Sequence, residues 1–176
     1  MVRKEHCSSS FWDSYWSKPY FHYEKQHQFI WNLLLGKVYG HVLDLGCGSA
    51  SCWKGKKIDL TGVDFSEQAI VEAKKNFPGG CFVKTNVQET GLNDQFDVIV
   101  LSGVVNYLQN LEPLRKEVLR LLKGSGKVLI TINQVDDFLG RHWDDESVYK
   151  EFGKWGKVKE INFFPKIGFL IEVIRQ

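Results

Sequence analysis

The sequence predicts an α/β protein with a doubly wound sheet of seven strands, mostly parallel and closed by an antiparallel C-terminal hairpin. Short runs rich in β-branched and aromatic residues alternate with helical or loop segments, which favours parallel strands joined by right-handed crossovers. These runs comprise residues 41–45, 58–63, 81–87, 96–101 and 127–132. Two further runs, 158–164 and 169–175, are separated by only four residues, and so short a link permits only antiparallel pairing. This arrangement is a Rossmann-like fold.

Local signals place one helix before the first strand and two helices between strands. One is expected to end near Gly36, after an apolar stretch. A second begins after Ser66, a favourable N-cap, and ends before Pro78. A third runs from Pro113, favoured in a first helical turn, to a stop at Gly124.

Length and composition predict one domain and exclude several classes of protein. The chain has 176 residues, 43% of them hydrophobic, which is enough for one sizeable core. A net charge of +2 gives no strong attraction to nucleic acid or to a membrane surface. With no secretory signal and no long apolar run, we expect a cytoplasmic protein. Four cysteines without a C-x-x-C pair predict neither a metal site nor a disulfide framework.

The N-terminal part differs from the rest in its aromatic content. Residues 1–40 are predicted to form an aromatic and helical cap on a core of residues 41–176, and residues 11–23 are especially rich in aromatic side chains. Either these side chains pack against the core, or they fold over a cofactor and line a substrate cavity. Both interpretations can hold together.

The loop after the first strand has the residues of a cofactor site. The first strand carries Asp44 near its end, and Gly46 and Gly48 allow a sharp turn and close approach of a ligand to the backbone. A carboxylate before the turn favours a cationic ligand, whereas a pyrophosphate prefers the positive end of a following helix. Cys47, between the glycines, is expected to be structural rather than reactive.

Polar and aromatic residues also follow the next three strands. Asp64 is positioned for ribose hydroxyls, and Phe65 for a purine face or for the core. Asn86 and Val87 suit the hydrogen-bonding edge and the flat face of an adenine, and Ser102 leaves room at the reactive end of the cofactor. The carboxyl ends of the strands are therefore predicted to hold a nucleoside.

Taken in order, these motifs resemble the class I S-adenosylmethionine (SAM)-dependent methyltransferases, especially those acting on small molecules. The similar segments are D-x-G-C-G at 44–48, G-V-D-x-S at 62–66, F-D-V-I-V at 96–100 and L-L-K-G-S-G at 121–126. The resemblance covers residues 42–132, and the terminal hairpin matches the reversed seventh strand of that family.

The resemblance implies SAM as the cofactor and assigns parts of it to residues of this chain. The methionine part falls to Asp44, Gly46, Cys47 and Gly48, the ribose to Asp64, and the adenine to Asn86 and Val87. Three departures are visible: Ala50 replaces a usual glycine, Asn86 replaces a frequent aspartate, and residues 49–60 are about one turn short for the first crossover helix.

The family chemistry implies transfer of a methyl group to a small-molecule acceptor by in-line displacement. Residues 102–107 lack the (N/D)-P-P-(Y/F) element of enzymes that methylate nucleic-acid bases, so no nucleic-acid partner is expected. Acidic residues between positions 136 and 146 favour a cationic acceptor or a solvated loop. The candidate catalytic residues are Asn106, Tyr107, Asn133, Gln134, His142 and His22. Among them, His142 is the first candidate for a general base.

Two alternatives stay open at this point. A nicotinamide (NAD)-dependent oxidoreductase also uses two glycines and a following aspartate. Against it stand Asp44 before the turn, Ser51 in place of a third glycine, and the antiparallel hairpin. A catalytically silent SAM-binding or partner-binding protein is the other alternative, because methyl transfer need not leave a signature of catalytic residues.

Overall fold

The computed structural model describes residues 8–17, 22–133, 136–137, 139–165 and 167–175, without the side chains of residues 22–27. The strands are β1 (His41–Leu45), β2 (Asp59–Asp64), β3 (Cys81–Lys84), β4 (Phe96–Ser102), β5 (Leu122–Ile132), β6 (Lys157–Phe164) and β7 (Gly168–Ile174). The α-helices are α1 (Ser9–Trp16), α2 (His22–Leu35), α3 (Glu67–Asn76), α4 (Glu112–Leu121) and α5 (Asp145–Phe152).

The strands form one sheet in the order β3-β2-β1-β4-β5-β7-β6. The first five strands pair in parallel, whereas β7 runs antiparallel to both β5 and β6. The predicted doubly wound, mostly parallel sheet with its antiparallel hairpin is therefore confirmed. This topology brings the carboxyl ends of β1, β2 and β4 to one edge, where ligands bind in open α/β sheets.

Helices cover both faces of the sheet, because successive strand residues point in opposite directions. Leu43 and Ile99 face one side and pack in a cluster with residues of α4 and α5. Val42 and Val98 face the other side and pack in a cluster with Leu34 of α2 and with residues of α3. None of the helices in the described parts of the chain is long and apolar enough to span a membrane.

The predicted helical stop at Gly124 is wrong. The last residue of α4 is Leu121, and β5 begins at the next residue, so Gly124 lies within the strand. Leu122 is buried and pairs with Phe96 of β4, and this pairing extends the sheet at the expense of the helix. The predicted helix start after Ser66 is confirmed, since its hydroxyl accepts a hydrogen bond from Ala69 N–H.

The first crossover, between β1 and β2, holds no α-helix within the fully described residues 46–58. Its only helical turn is a 3-10 turn, Ser51–Trp53. Ala50, just before it, has φ +52°, in the left-handed region that favours glycine. The expectation of a helix shortened by one turn is thus replaced by a compact turn, in which the buried Trp53 side chain supplies the packing.

Candidate active site

Backbone hydrogen bonds join the loop after β1 to the end of β2. Gly46 and Gly48 have φ values of +79° and +50°, which residues with a side chain rarely adopt. Gly46 N–H donates to the carbonyl of Val63 over 2.8 Å, and Gly48 N–H donates to Asp64 Oδ2 over 3.0 Å. Asp64 Oδ1 also accepts from Ser66 N–H, at 2.9 Å. The predicted methionine and ribose residues are therefore adjacent.

Asp44 is a buried acid with an incomplete set of hydrogen bonds. Its side chain is 1% exposed, and Oδ2 accepts from the indole N–H of Trp53 at 2.7 Å. Oδ1 has no hydrogen-bond partner among the described residues. Burial raises the pKa of Asp44 to about 7, because one hydrogen bond from Trp53 does not offset desolvation and the nearby charge of Asp64 adds to it. A cationic donor at Oδ1 would satisfy this carboxylate.

Cys47 lies beneath this loop. The side chain is buried, and Sγ donates to the carbonyl of Gly48 over 3.6 Å. Burial raises the pKa of the Cys47 thiol well above its usual range, so the thiol is protonated at neutral pH. Nucleophilic or metal-binding chemistry needs the thiolate, and the surroundings of Cys47 are those of a packing residue.

The other predicted cofactor residues lie at or just beyond strand ends. Phe65 is half-buried after β2, and Ser102 ends β4 with its hydroxyl 2.9 Å from Thr131 Oγ1. Because β3 ends at Lys84, the exposed Asn86 and half-buried Val87 lie in the following turn and not in the predicted strand 81–87. The side-chain oxygen of Asn86 accepts from Gln88 N–H at 2.9 Å, and its role toward an adenine stays a prediction.

A 3-10 turn, Val105–Tyr107, follows β4 and carries two of the predicted catalytic residues. Asn106 is 2% exposed, and its side-chain oxygen accepts from Asn133 N–H at 3.3 Å. Its amide nitrogen has no hydrogen-bond partner in the described part of the chain. The ring of Tyr107 packs edge-on against Trp12 of α1, with centroids 5.0 Å apart. Residues after β4 and β5 thus converge beneath α1.

The N-terminal aromatic residues reach the same strand ends. The ring of Trp16 lies so close to Gly48 that a Cβ on Gly48 would overlap it. Asp13 Oδ1 accepts hydrogen bonds from Ser66 Oγ at 2.5 Å and from Gln68 N–H at 3.2 Å. Sequence reasoning anticipated an aromatic cover but missed Asp13 and Trp53, whose partners are set only by the tertiary fold.

His142 lies in a surface cavity whose lining residues do not include the motif glycines. Its side chain is 63% exposed and pairs with Asp136, with Nδ1 and Oδ1 2.8 Å apart. The hydrogen bond to Asp136 raises the pKa of His142 above its ordinary value. His142 lines this cavity of about 430 Å³ together with residues at the start of α4 and on α5. The side chain of His22 and all of Gln134 lie outside the described residues.

The acidic residues near His142 have structural partners. Asp137 is buried and accepts from Arg141 Nε at 2.6 Å and from the Trp143 indole at 3.2 Å. Asp144 caps α5 by accepting from Ser147 N–H. These contacts disfavour the idea that the acidic segment recognises a cationic acceptor. No cluster of side chains that could hold a metal ion occurs among the residues that the structure describes.

Several known proteins are similar to this chain in sequence. A family model described as a methyltransferase domain matches residues 43–130. The chain is 26% identical over 107 residues to malonyl-[acyl-carrier protein] O-methyltransferase of Enterobacter lignolyticus, covering 58% of this chain and 43% of that protein. It spans less than two thirds of this relative and of an uncharacterised Methanocaldococcus jannaschii protein that also matches.

Two solved structures show the same fold at low sequence identity. N-methyltransferase NodS of Bradyrhizobium japonicum, in complex with S-adenosyl-L-homocysteine (SAH), has a TM-score of 0.70 and 16% identity, covering 99% of this chain and 96% of that one. A chain from the complex between the Haloferax volcanii Trm112 methyltransferase activator and a putative methyltransferase has a TM-score of 0.77 and 17% identity, covering 93% and 96%.

Proposed function

Because this chain belongs to the class I SAM-dependent methyltransferases, we propose that it transfers a methyl group to a small organic acceptor by in-line displacement. The observation that carries the proposal is Asp44, a buried carboxylate whose Oδ1 lacks a partner within the described residues. Burying such a group lowers the stability of the folded protein unless a ligand donates a hydrogen bond to it. The ammonium of SAM is a donor of the right charge.

The remaining cofactor contacts follow from the loops beside Asp44. Asp64 would accept from the ribose hydroxyls through lone pairs that its two backbone donors do not use. Burial raises the pKa of Asp64 despite these donors, so further hydroxyl donors would stabilise its ionised form. Phe65, Asn86 and Val87 would contact the adenine. When bound, SAM supplies a methyl group on a sulfonium, which is a good leaving group.

The acceptor end would be formed by the turn after β4 and by α1. Trp12 and Tyr107 offer aromatic surface, and the buried Asn106 offers an amide nitrogen for an oxygen of the acceptor. We assign orientation of the acceptor to Asn106 and Tyr107, since most of the rate in such a transfer comes from alignment. His142 is exposed and paired with Asp136, so we assign it no contact with the reacting atoms.

The names of the similar proteins specify different methyl acceptors. The Enterobacter relative is named as an O-methyltransferase of a malonyl group on acyl-carrier protein, and NodS as an N-methyltransferase. The same fold thus serves acceptors with different reacting atoms. The matched segment is also less than half of the Enterobacter protein, so the acceptor of that protein does not carry over to this chain.

A transfer assay with methyl-labelled SAM tests the proposal. The full chain is incubated with separate panels of amines, phenols, carboxylates and thiols, and labelled product is separated from SAM. Transfer to one panel, lost in Asp44→Asn, supports the proposal. SAH binding without transfer to any panel would favour the silent SAM-binding alternative. NADH binding without SAH binding would favour the oxidoreductase alternative, which the family match and the antiparallel hairpin already oppose.

A further inference from the structure

Helix α1 contacts three separate loops at the carboxyl edge of the sheet. Trp16 lies on Gly48 after β1, Asp13 accepts hydrogen bonds from Ser66 and Gln68 after β2, and Trp12 packs against Tyr107 after β4. These loops carry the candidate cofactor and acceptor residues. A single short helix therefore spans both ends of the proposed site.

The position of α1 depends on these contacts. It has eight residues, none of them fully buried, and helices this short are marginal in water without tertiary packing. Its aromatic side chains contact one another edge-on, and Trp12 contacts Tyr107 in the same way. Aromatic pairs of this kind occur over centroid distances of about 4.5–7 Å, so they restrict the position of the helix less than hydrogen bonds do. The hydrogen bonds of Asp13 are directional and charge-assisted, and so fix a single placement.

Ser66 connects Asp13 to Asp64, the carboxylate that we propose binds the ribose. Its backbone N–H donates to Asp64 Oδ1, and its hydroxyl donates to Asp13 and accepts from Ala69 N–H. Ser66 is fully buried, so water does not compete for its hydroxyl and N–H, although Asp13 itself is half-buried. The hydrogen bond from Ser66 lowers the pKa of Asp13, which keeps its carboxylate ionised at neutral pH.

We propose that Asp13 is a positioning residue of the active site. By accepting from Ser66 and Gln68, it holds α1 so that Trp16 forms a wall of the cofactor site and Trp12 forms a wall of the acceptor site. This inference rests on the proposed function, because it takes the loops after β1, β2 and β4 to be the SAM and acceptor site.

The test compares Asp13→Ala and Asp13→Asn with a control on the same helix. Ser14→Ala is the control, because Ser14 is exposed on α1 and its side chain makes no hydrogen bond to any residue that the structure describes. Two quantities are measured: hydrogen exchange of the α1 amides without ligand, and the Kd for SAH by calorimetry. Thermal melts check that each variant remains folded.

We expect Asp13→Ala to speed α1 exchange and to raise the Kd for SAH about tenfold, the size expected for losing charge-assisted hydrogen bonds. Asp13→Asn keeps an acceptor oxygen and should fall between Asp13→Ala and wild type. Ser14→Ala should match wild type in both measurements. A rescue by Asn separates positioning from a general loss of stability.

Three results would overturn the inference or its premise. Unchanged α1 exchange in Asp13→Ala would show that Asp13 does not hold the helix. Unchanged or tighter SAH binding in a variant with faster exchange would show that α1 is not a wall of the cofactor site. If wild type itself failed to bind SAH, the proposed function would fail, and the exchange measurement would still decide whether Asp13 fixes α1.

Discussion

Buried acids have different hydrogen-bond partners at the carboxyl edge of the sheet and in its C-terminal hairpin. Asp44 has one neutral donor, Trp53, and a pKa raised to about 7. Glu172 on β7 is equally buried but has the ammonium groups of Lys37 and Lys159, both at 3.0 Å. Burial alone would raise the pKa of Glu172, but these hydrogen bonds lower it overall. The hairpin pairs its buried carboxylate within the protein, whereas Asp44 Oδ1 has no partner among the described residues and is the oxygen that we propose a ligand occupies.

Removing the charge of Asp44 should give the largest effect on binding. Asp44→Asn keeps an acceptor for the Trp53 indole but loses attraction for an ammonium, so the Kd for SAH should rise about 100-fold. The free energy of unfolding should stay equal or increase, because a buried unpaired carboxylate is removed. Calorimetric titration and urea unfolding measure the two quantities. A variant that is less stable but binds SAH normally would show that Asp44 stabilises the fold and does not bind the cofactor.

Removing the charge of Glu172 should have the opposite outcome. Glu172→Gln leaves several lysine side chains close together without the negative charge that they share, and should lower the free energy of unfolding by about 2 kcal/mol. SAH affinity should not change. Glu160→Gln is the matched control, since Glu160 also bonds Lys37 but is more exposed and should cost less. Weaker SAH binding in Glu172→Gln would remove the distinction between the two regions.

The pH dependence of SAH binding should report Asp44. Because its pKa in the folded protein is about 7, raising the pH from 6 to 8 ionises the carboxylate and should tighten SAH binding about tenfold. The free energy of unfolding of the ligand-free protein should change in the opposite direction. The pKa of Asp44 is about 7 in the folded protein and 3.8 ordinarily, so the contribution of Asp44 to stability falls as the pH rises from 3.8 to about 7. Asp44→Asn should remove both dependences, and their persistence would point to another group.

Changing His142 should have the smallest effect. The side chain is exposed, and its ion pair with Asp136 lies at the surface, where such pairs contribute little. His142→Ala should leave the Kd for SAH within about twofold of wild type, and methyl transfer to any acceptor found in the screen should be retained. A loss of transfer with unchanged SAH binding would restore His142 as the general base.

The parts of the fold that sequence predicted correctly depend on local patterns. Strand β1 and the hairpin have runs whose length and spacing leave few alternatives, and Ser66 precedes a helical segment with an N-cap side chain. The carboxylates Asp44 and Asp64 lie at the carboxyl ends of β1 and β2, which pair in parallel, so the topology alone brings them to the same end of the sheet. Local periodicity and strand order were sufficient for these features.

Features that depend on distant contacts were missed. Asp13 and Ser66 are 53 residues apart in sequence, and an acid within an aromatic segment carries no sign of its partner. The early start of β5 at Leu122 depends on pairing with Phe96, which competes with the helical signal of the preceding residues. Ala50 stands where the family usually has glycine, and its positive φ, which is strained for a residue with a side chain, becomes visible only in the structure.

The contact between Trp53 and Asp44 should make the fluorescence of Trp53 sensitive to the charge of Asp44. Indole emission shifts in wavelength with the electric field at the ring, and the Trp53 N–H lies 2.7 Å from a carboxylate oxygen. Ionisation of Asp44, or its neutralisation by a bound cation, changes that field without any added label. If SAM binds at Asp44 as we propose, intrinsic fluorescence should follow both its binding and the titration of Asp44. The variant Trp53→Phe would identify the part of the spectrum that comes from this ring.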